Sequence, residues 1–489
     1  MRKITDLEFD NTYRKLPQEF YDLVKPTPLS NPDLVSFNSD AAALIDLDPT
    51  QAELPEFADY LSGKKMLPGS DPLAMYYTGH QFGVYNPDIG DGRAILLGEV
   101  RNKKGEIWDL HLKGAGRTKF SRIFDGRAVL RSCIREYLCS EAMHGLGIPT
   151  TRALCIIGSD EIVQRETSEK GAMMVRMAQT HVRFGSFEAF HYTDRPDCVK
   201  LLADYVIEHH FPEFLGLENR YDLFFSEVAK RTAQLMAKWQ SVGFAHGVMN
   251  TDNMSITGLT IDYGPYGFLE DCNPEYTPNH SDNFGRYSYQ NQPAIALWNL
   301  NKLAVALSSI VDGEKAQESL DNFRNIYASC YVEIMSKKIG LKEEMTEDVE
   351  LIKRLLDILA KEKVDYTIFL RRLSNITSNN SDRNQDIVFM FEDQGAISDW
   401  MSSYKLRLKA ENSNDTERNK SMNLVNPKFI LRNYLAENAI RKAVDEADYT
   451  EIERLHRILR DPFSEQIQFQ DYAEASPDWG KNLVISCSS

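Results

Sequence analysis

Hydrophobic and polar positions alternate most plainly between residues 90 and 180. Ala94-Ile-Leu-Leu-Gly-Glu-Val100 and Ile107-Trp-Asp-Leu-His-Leu-Lys113 read as strands, and Asn102-Lys-Lys-Gly105 between them is a turn, so the pair predicts a hairpin. A helix is expected over Arg127–Met143, with Leu130, Ile134, Tyr137 and Leu138 on one face and Gly145 and Gly147 as stops. Thr151–Ile157, Glu161–Arg165 and Ala172–Met177 read as further strands. Beyond them the period changes to that of helices, over Cys198–His210, Asp222–Val242, Ala294–Val311 and Glu347–Ala360. Asn375–Asn384 and Glu411–Asn419 are polar and read as surface loops. The stretch before about Ser70 has weak periodicity and reads as an extension around a core; the residues from Phe469 read as a tail.

This order predicts an α+β protein: an extension over 1–70, a β-rich lobe with one helix over 71–178, a helical lobe over 179–468, and a tail over 469–489 that carries Cys487. At 489 residues the chain exceeds one ordinary core, which suits two lobes with extensions. No apolar run approaches the length of a membrane span. Met1 to Asp10 lack an apolar stretch and carry acids early, so neither a secretory nor a mitochondrial leader is expected and the cytoplasm is the expected location.

With 56 basic and 72 acidic side chains the net charge is −16, and no basic stripe interleaved with aromatics offsets it. Nucleic acid is therefore not an expected partner. The seven cysteines are scattered without a C-x-x-C pair, which points to neither a disulfide framework nor a zinc site. Nothing demands an oligomer, and a monomer is expected.

The most informative segment is His246-Gly-Val-Met-Asn-Thr-Asp-Asn253, followed by Thr260-Ile-Asp-Tyr-Gly264. A helix ending at Gly243, a polar loop, and a short hairpin into an Asp-aromatic-Gly turn would bring Asn253 and Asp262 together. A carboxamide and a carboxylate suit a divalent ion that completes its shell with phosphate and water. The segment departs from the kinase signature H-R-D-L-x-x-x-N, because Val248 stands where that signature has its base. Asp252 is the nearest carboxylate that could substitute. The chain is then either catalytically silent or performs related chemistry with shifted geometry.

Upstream, Ile89-Gly-Asp-Gly-Arg-Ala94 places Gly90, Gly92 and Arg93 where a tight turn could approach phosphate, although a plain turn fits equally. Lys113 and Glu136 could form the strand–helix ion pair of kinases, or Glu136 could simply be solvated. Arg176 in an apolar strand, and Arg183 after it, need partners. A structural carboxylate and a triphosphate both qualify.

Together the motifs resemble the selenoprotein O family. Those that carry the likeness are Tyr76-Tyr-Thr-Gly-His-Gln-Phe-Gly83, Gly90-Asp-Gly-Arg93, His111-Leu-Lys-Gly-Ala-Gly116, Asp125-Gly-Arg127, Glu136-Tyr137, Val175-Arg176 and Arg183-Phe-Gly-Ser-Phe187. The His246–Asn253 and Ile261–Gly264 segments and the terminal Ser486-Cys-Ser-Ser489 complete it. The resemblance implies a protein-kinase-like two-lobed fold that binds ATP in a flipped orientation and transfers AMP, with UMP also attributed to the family, to Ser, Thr or Tyr of proteins. It further implies that Gly90, Gly92, Arg93, Lys113, Asp125, Gly126, Arg176 and Arg183 hold the nucleotide. Asn253 and Asp262 would bind Mg²⁺ or Mn²⁺, Asp252 would accept the proton, and Cys272 and Cys487 would form a redox pair.

Overall fold

The computed structural model describes residues 1–378, 385–481 and 483–485. Its strands are β1 (Tyr21–Leu23), β2 (Asp33–Phe37), β3 (Leu73–Met75), β4 (Gly79–Gln81), β5 (Val84–Asn86), β6 (Ala94–Arg101), β7 (Ile107–Lys113), β8 (Ala128–Val129), β9 (Arg152–Gln164), β10 (Ser168–Ala178), β11 (Phe244–Ala245) and β12 (Gly267–Phe268). One antiparallel sheet runs in the order β1-β3-β6-β7-β10-β9-β2, with β8 paired to β10. The expected β6–β7 hairpin is present, in register from Ala94↔Lys113 to Arg101↔Ile107. The two strands expected at Thr151–Ile157 and Glu161–Arg165 are instead one long strand, β9.

The N-terminal stretch does more than wrap a core. Its short strands β1 and β2 form the two ends of the sheet, on β3 and β9. Its helices α1 (Ser39–Leu44) and α2 (Pro55–Leu61) cover one face, where Ala41, Ile45, Phe57 and Leu61 meet Ile95, Leu97, Leu110, Leu112, Val175 and Met177. Alternation then turns Leu96, His111, Lys113, Met174 and Arg176 to the opposite face. Against that second face packs α3 (Leu130–Gly145), which contacts β9 and β10. Arg135, Glu136 and Glu141 are buried along with the helix's apolar residues, so α3 is enclosed nearly all round.

The rest is helical: α4 (Phe184–His191), α5 (Pro196–His210), α6 (Arg220–Ser241), α7 (Gln292–Ala306), α8 (Gly313–Lys338), α9 (Asp348–Lys361), α10 (Tyr366–Leu373) and α11 (Gln385–Val388). Then come α12 (Gln394–Ala410), α13 (Asp415–Asn423), α14 (Asn433–Arg441), α15 (Thr450–Leu459) and α16 (Asp478–Lys481). Half of the loop expected at Glu411–Asn419 belongs to α13, whose Asn414 cap accepts the N–H groups of Thr416 and Glu417. The long α8 packs along α6 and was not among the expected helices. One apolar core runs from the α3 face of the sheet through α5, α6 and α7; another lies among α8, α9, α10 and α12. No described helix is long and apolar enough to cross a membrane.

Candidate functional site

The site begins on the α3-facing side of the sheet, where β7 and β10 put charged residues among apolar ones. Lys113 ends β7 and its Nζ donates to Glu136 Oε2 at 2.5 Å. Glu136 is therefore a paired residue and not a solvated one. Arg176, opposite His111 in the register, donates to the other Glu136 oxygen at 3.3 Å and to Asp262 Oδ1. Its second nitrogen donates to His111 Nδ1 at 2.8 Å, which fixes the imidazole proton on Nε2, 3.0 Å from Asp91 Oδ2. Burial, opposed by Asp91 and reinforced by Arg176, holds the His111 pKa below its ordinary value, as a neutral acceptor requires.

The loop from β11 to β12 supplies the opposing carboxylates. The two short strands pair with each other and bracket the loop, so the hairpin expected just before Asp262 is absent. His246 is buried, stacks on Trp239 and hydrogen-bonds the Ile261 carbonyl at 2.8 Å, tying the start of the loop to the Asp262 turn. Asp262 has φ of +56°, a left-handed conformation that Asp tolerates better than most residues. Its Oδ1 accepts from Arg176 and its Oδ2 from Arg183. Both guanidinium groups drive its pKa far below the usual carboxylate range, against the cost of burial. Arg183 also lies over the Tyr77 ring at 4.5 Å and donates to the Asp252 carbonyl at 2.7 Å. One arginine thus joins the two halves of the loop.

Asp252 lies in a single 3₁₀ turn, Thr251–Asn253, and is buried. The β4–β5 hairpin lies directly on this turn. His80 N–H donates to Thr251 Oγ1 at 2.7 Å, Gln81 Nε2 to Asp252 Oδ2 at 3.2 Å, and Phe82 N–H to Asn250 Oδ1 at 3.3 Å. A Cβ on Gly79 would stand 2.8 Å from Asp252 Oδ1, so only glycine admits the carboxylate there. That oxygen is buried and has no hydrogen-bond partner among the described residues. Burial pushes the Asp252 pKa up to about 7, with Arg183 pulling the other way.

These residues fit a divalent ion shared with a nucleotide. Among the described residues no three of His, Cys, Asp and Glu form a cage. Magnesium usually takes one or two protein carboxylates and fills its shell with phosphate and water. Asn253 Nδ2 donates to the Val248 carbonyl at 3.1 Å, which leaves its Oδ1 as the ligating end. Asp262, at the other end of the loop, adds a carboxylate, and the two make a hard-oxygen pair of the right kind.

The remaining candidates divide. Gly90, at φ +96°, and Gly92 form a turn pressed against Phe120, within 3 Å of any added Cβ. Ser121 Oγ and Thr118 Oγ1 hydrogen-bond the Gly92 and Asp91 carbonyls, at 2.5 and 2.7 Å. Arg93 is exposed at the start of β6, next to the Ala94↔Lys113 pair, and does not join the buried cations. Asp125 is held by both nitrogens of Arg165 at 2.8 Å each; Gly126 at φ +72° passes so close to Gly116 that a Cβ would clash with its carbonyl. Cys272 is buried among α8–α10 side chains, and burial pushes its thiol up to about 12. Cys487 lies outside the described residues, as does the segment 379–384 of the Asn375–Asn384 loop.

Sequence reasoning gave no role to Asp91, His111, Gln81 or Tyr77, although all four stand inside the motifs it singled out. The signal was there for His111: in β7 it shares a face with Lys113, so whatever faces Lys113 faces His111 also.

Comparison with known proteins follows this geometry. The family described as "Protein adenylyltransferase SelO" matches residues 3–460. "Protein nucleotidyltransferase YdiU" of Myxococcus xanthus (strain DK1622) is 51% identical over all 489 residues, covering 100% of both chains. Proteins of the same name from Thiobacillus denitrificans (strain ATCC 25259 / T1) and Pseudomonas putida (strain GB-1) are 50% and 49% identical, again over 100% of each chain. The match spans the sheet, the carboxylate loop and the helical remainder alike, and the chain belongs to the protein adenylyltransferase SelO family.

Proposed function

We propose that this enzyme, a nucleotidyltransferase by family, transfers AMP from ATP to Ser, Thr or Tyr hydroxyls of proteins and releases pyrophosphate. The observation that carries this reading is the pairing of Val248, where a kinase has its base, with a buried, unpartnered oxygen on Asp252. A γ-phosphate kinase would lack its proton acceptor; a donor bound the other way round, with the α-phosphorus near Asp252, would not.

In this reading the fold is kinase-like, with a β-rich lobe near 71–178 and a helical lobe near 179–468. The triphosphate lies between them. Lys113, Arg176 and Arg183 would grip its oxygens, with the Gly90–Arg93 turn and the Asp125–Gly126 turn at its edges. Asn253 and Asp262 would hold Mg²⁺ or Mn²⁺, which neutralises charge on the phosphates when bound. The acceptor oxygen bonds to the α-phosphorus as the bond from that phosphorus to the bridging oxygen breaks. The acceptor's proton passes to the Asp252 carboxylate, and the pyrophosphate leaves with its new charge facing the three fixed cations. Because Arg176 and Arg183 already converge on Asp262, they need little reorganisation to meet phosphate. A monomer in the cytoplasm, acting on other proteins and using UTP as well as ATP, completes the proposal.

The test is isotopic. With ATP labelled at the α or the γ position, protein-bound label is expected from α alone. Label from γ alone would instead make the enzyme a phosphotransferase with Asp252 as base.

A further inference from the structure

The β4–β5 hairpin is the roof of the Asp252 turn, and its outer side is unusually apolar. Val84 is 72% exposed and Phe82, held at the tip with φ of +50°, is 41% exposed. Behind the tip the rings continue: Phe82 meets Tyr287 at 5.0 Å, and Tyr85 meets Tyr192, itself exposed, at 4.2 Å. His80 reaches the Trp298 ring at 5.4 Å. This surface is continuous with the acceptor position, because the residues that carry it also hydrogen-bond Asn250, Thr251 and Asp252. Scattered apolar residues on a surface need no explanation; a contiguous aromatic patch beside a reactive carboxylate does.

Its charge is specific too. Arg286 and Lys302 both lie over the Trp298 ring, each 4.8 Å from the centroid, and Arg286 abuts Gly83 at the hairpin tip. Among the described residues neither has a carboxylate within ion-pair distance, and Arg286 Nε is buried without a hydrogen-bond partner. In a chain of net charge −16, two neighbouring cations without a carboxylate partner give this ledge a local positive charge that an acidic segment would complement.

We propose that the β4–β5 hairpin, with Trp298, Arg286 and Lys302, is the docking ledge for the acceptor protein, and that it takes a segment with acidic and apolar residues flanking the modified hydroxyl. The inference rests on the reading above that Asp252 faces the acceptor. The apolar flank lies against Val84 and Phe82, and the acid meets the cations over Trp298. The ledge sets which hydroxyl is presented.

Two synthetic peptides test this, each with one Tyr and a neighbouring Leu, flanked by Glu in one and by Lys in the other. With α-labelled ATP the wild-type enzyme is expected to label the acidic peptide with about ten-fold higher kcat/KM. In Arg286→Glu/Lys302→Glu the preference should vanish or invert, while pyrophosphate release from ATP without peptide stays within about two-fold. Equal labelling of the peptides, preference for the basic one, or a preference unchanged in the variant would each overturn the proposal. So would a wild-type enzyme that releases pyrophosphate but labels neither peptide. An enzyme that neither releases pyrophosphate nor takes up α-label would instead overturn the nucleotidyl-transfer reading itself.

Discussion

Asp252 and Asp262 stand in one loop, the first buried and the second half-buried, and are driven in opposite directions. Asp262 has two guanidinium partners and is held far below the usual carboxylate range. Asp252 has one amide donor and one bare oxygen, and burial raises it to about 7. Burial accounts for the rise at Asp252 but runs against the fall at Asp262. The counter-charge decides: two arginines more than offset desolvation at Asp262, whereas Arg183 reaches only the backbone carbonyl of Asp252. One position is suited to bind charge and the other to take a proton.

Removing the charge at Asp262 should show the largest effect. Asp262→Asn is expected to lower AMP transfer by at least about a thousand-fold. It should also lower the thermal midpoint without nucleotide, since Arg183 loses its carboxylate partner and Arg176 keeps only Glu136. Labelling with α-labelled ATP and a melting curve check both; an unchanged midpoint would mean that Glu136 and the Asp252 carbonyl suffice for the two arginines.

Asp252→Asn should separate the two positions. Transfer is expected to fall by about 10²–10⁴-fold, in the range of a lost general base. The midpoint should hold or rise, because an under-satisfied buried carboxylate is replaced by a neutral group. A loss of stability matching that of Asp262→Asn would erase the distinction drawn between them.

A smaller effect is expected at His111. His111→Phe removes the acceptor that orients Arg176 and the partner of Asp91. The KM for ATP should rise about ten-fold with kcat little changed, as for other residues that orient a ligating group. A fall in kcat at constant KM would place His111 in the chemistry instead.

The smallest expected effect lies far from the cleft. Lys338, at the end of α8, is buried, and among the described residues its acceptors are the Val425 carbonyl and the Asn426 side chain, at 2.9 and 3.4 Å. Unlike Arg176 and Arg183 it has no carboxylate, and burial lowers its pKa to about 7. The folded state thus disfavours its charged form. The cost is fully present below pH 7 and fades as pH rises toward the unfolded value of about 10.4. Relative to wild type, Lys338→Met should be favoured more at pH 6 than at pH 10 in melting curves. No difference between the two pH values would mean that Lys338 is already neutralised by a partner.

Much of this was legible in the chain. The β6–β7 hairpin, α3, α5, α6 and α9 follow their periodicity because each has one clear apolar face or an alternating strand pattern. The strands β1 and β2 escaped notice because segments of three and five residues carry too little pattern to show it. In α13, capping by Asn414 and the burial of Arg418 and Met422 outweigh a polar composition that reads as loop. At the site, Lys113, Glu136, Arg176, Arg183, Asp252, Asn253 and Asp262 could be named from motifs. Their pairing could not, since Glu136 read equally well as solvated.

By itself the sequence determined the chemical types: which cations, carboxylates and carboxamide the enzyme has, that Val248 cannot act as a base, and where the longer, strongly patterned strands and helices lie. Only the tertiary structure decided who meets whom. Arg176 reaches Asp262 across 86 residues of chain, and the β4–β5 hairpin lies on a turn some 171 positions away. Contacts of that span depend on how sheet and helices pack, and the resulting burial and charge pairing, which no local pattern encodes, set Asp252 and Asp262 on opposite sides of their ordinary pKa.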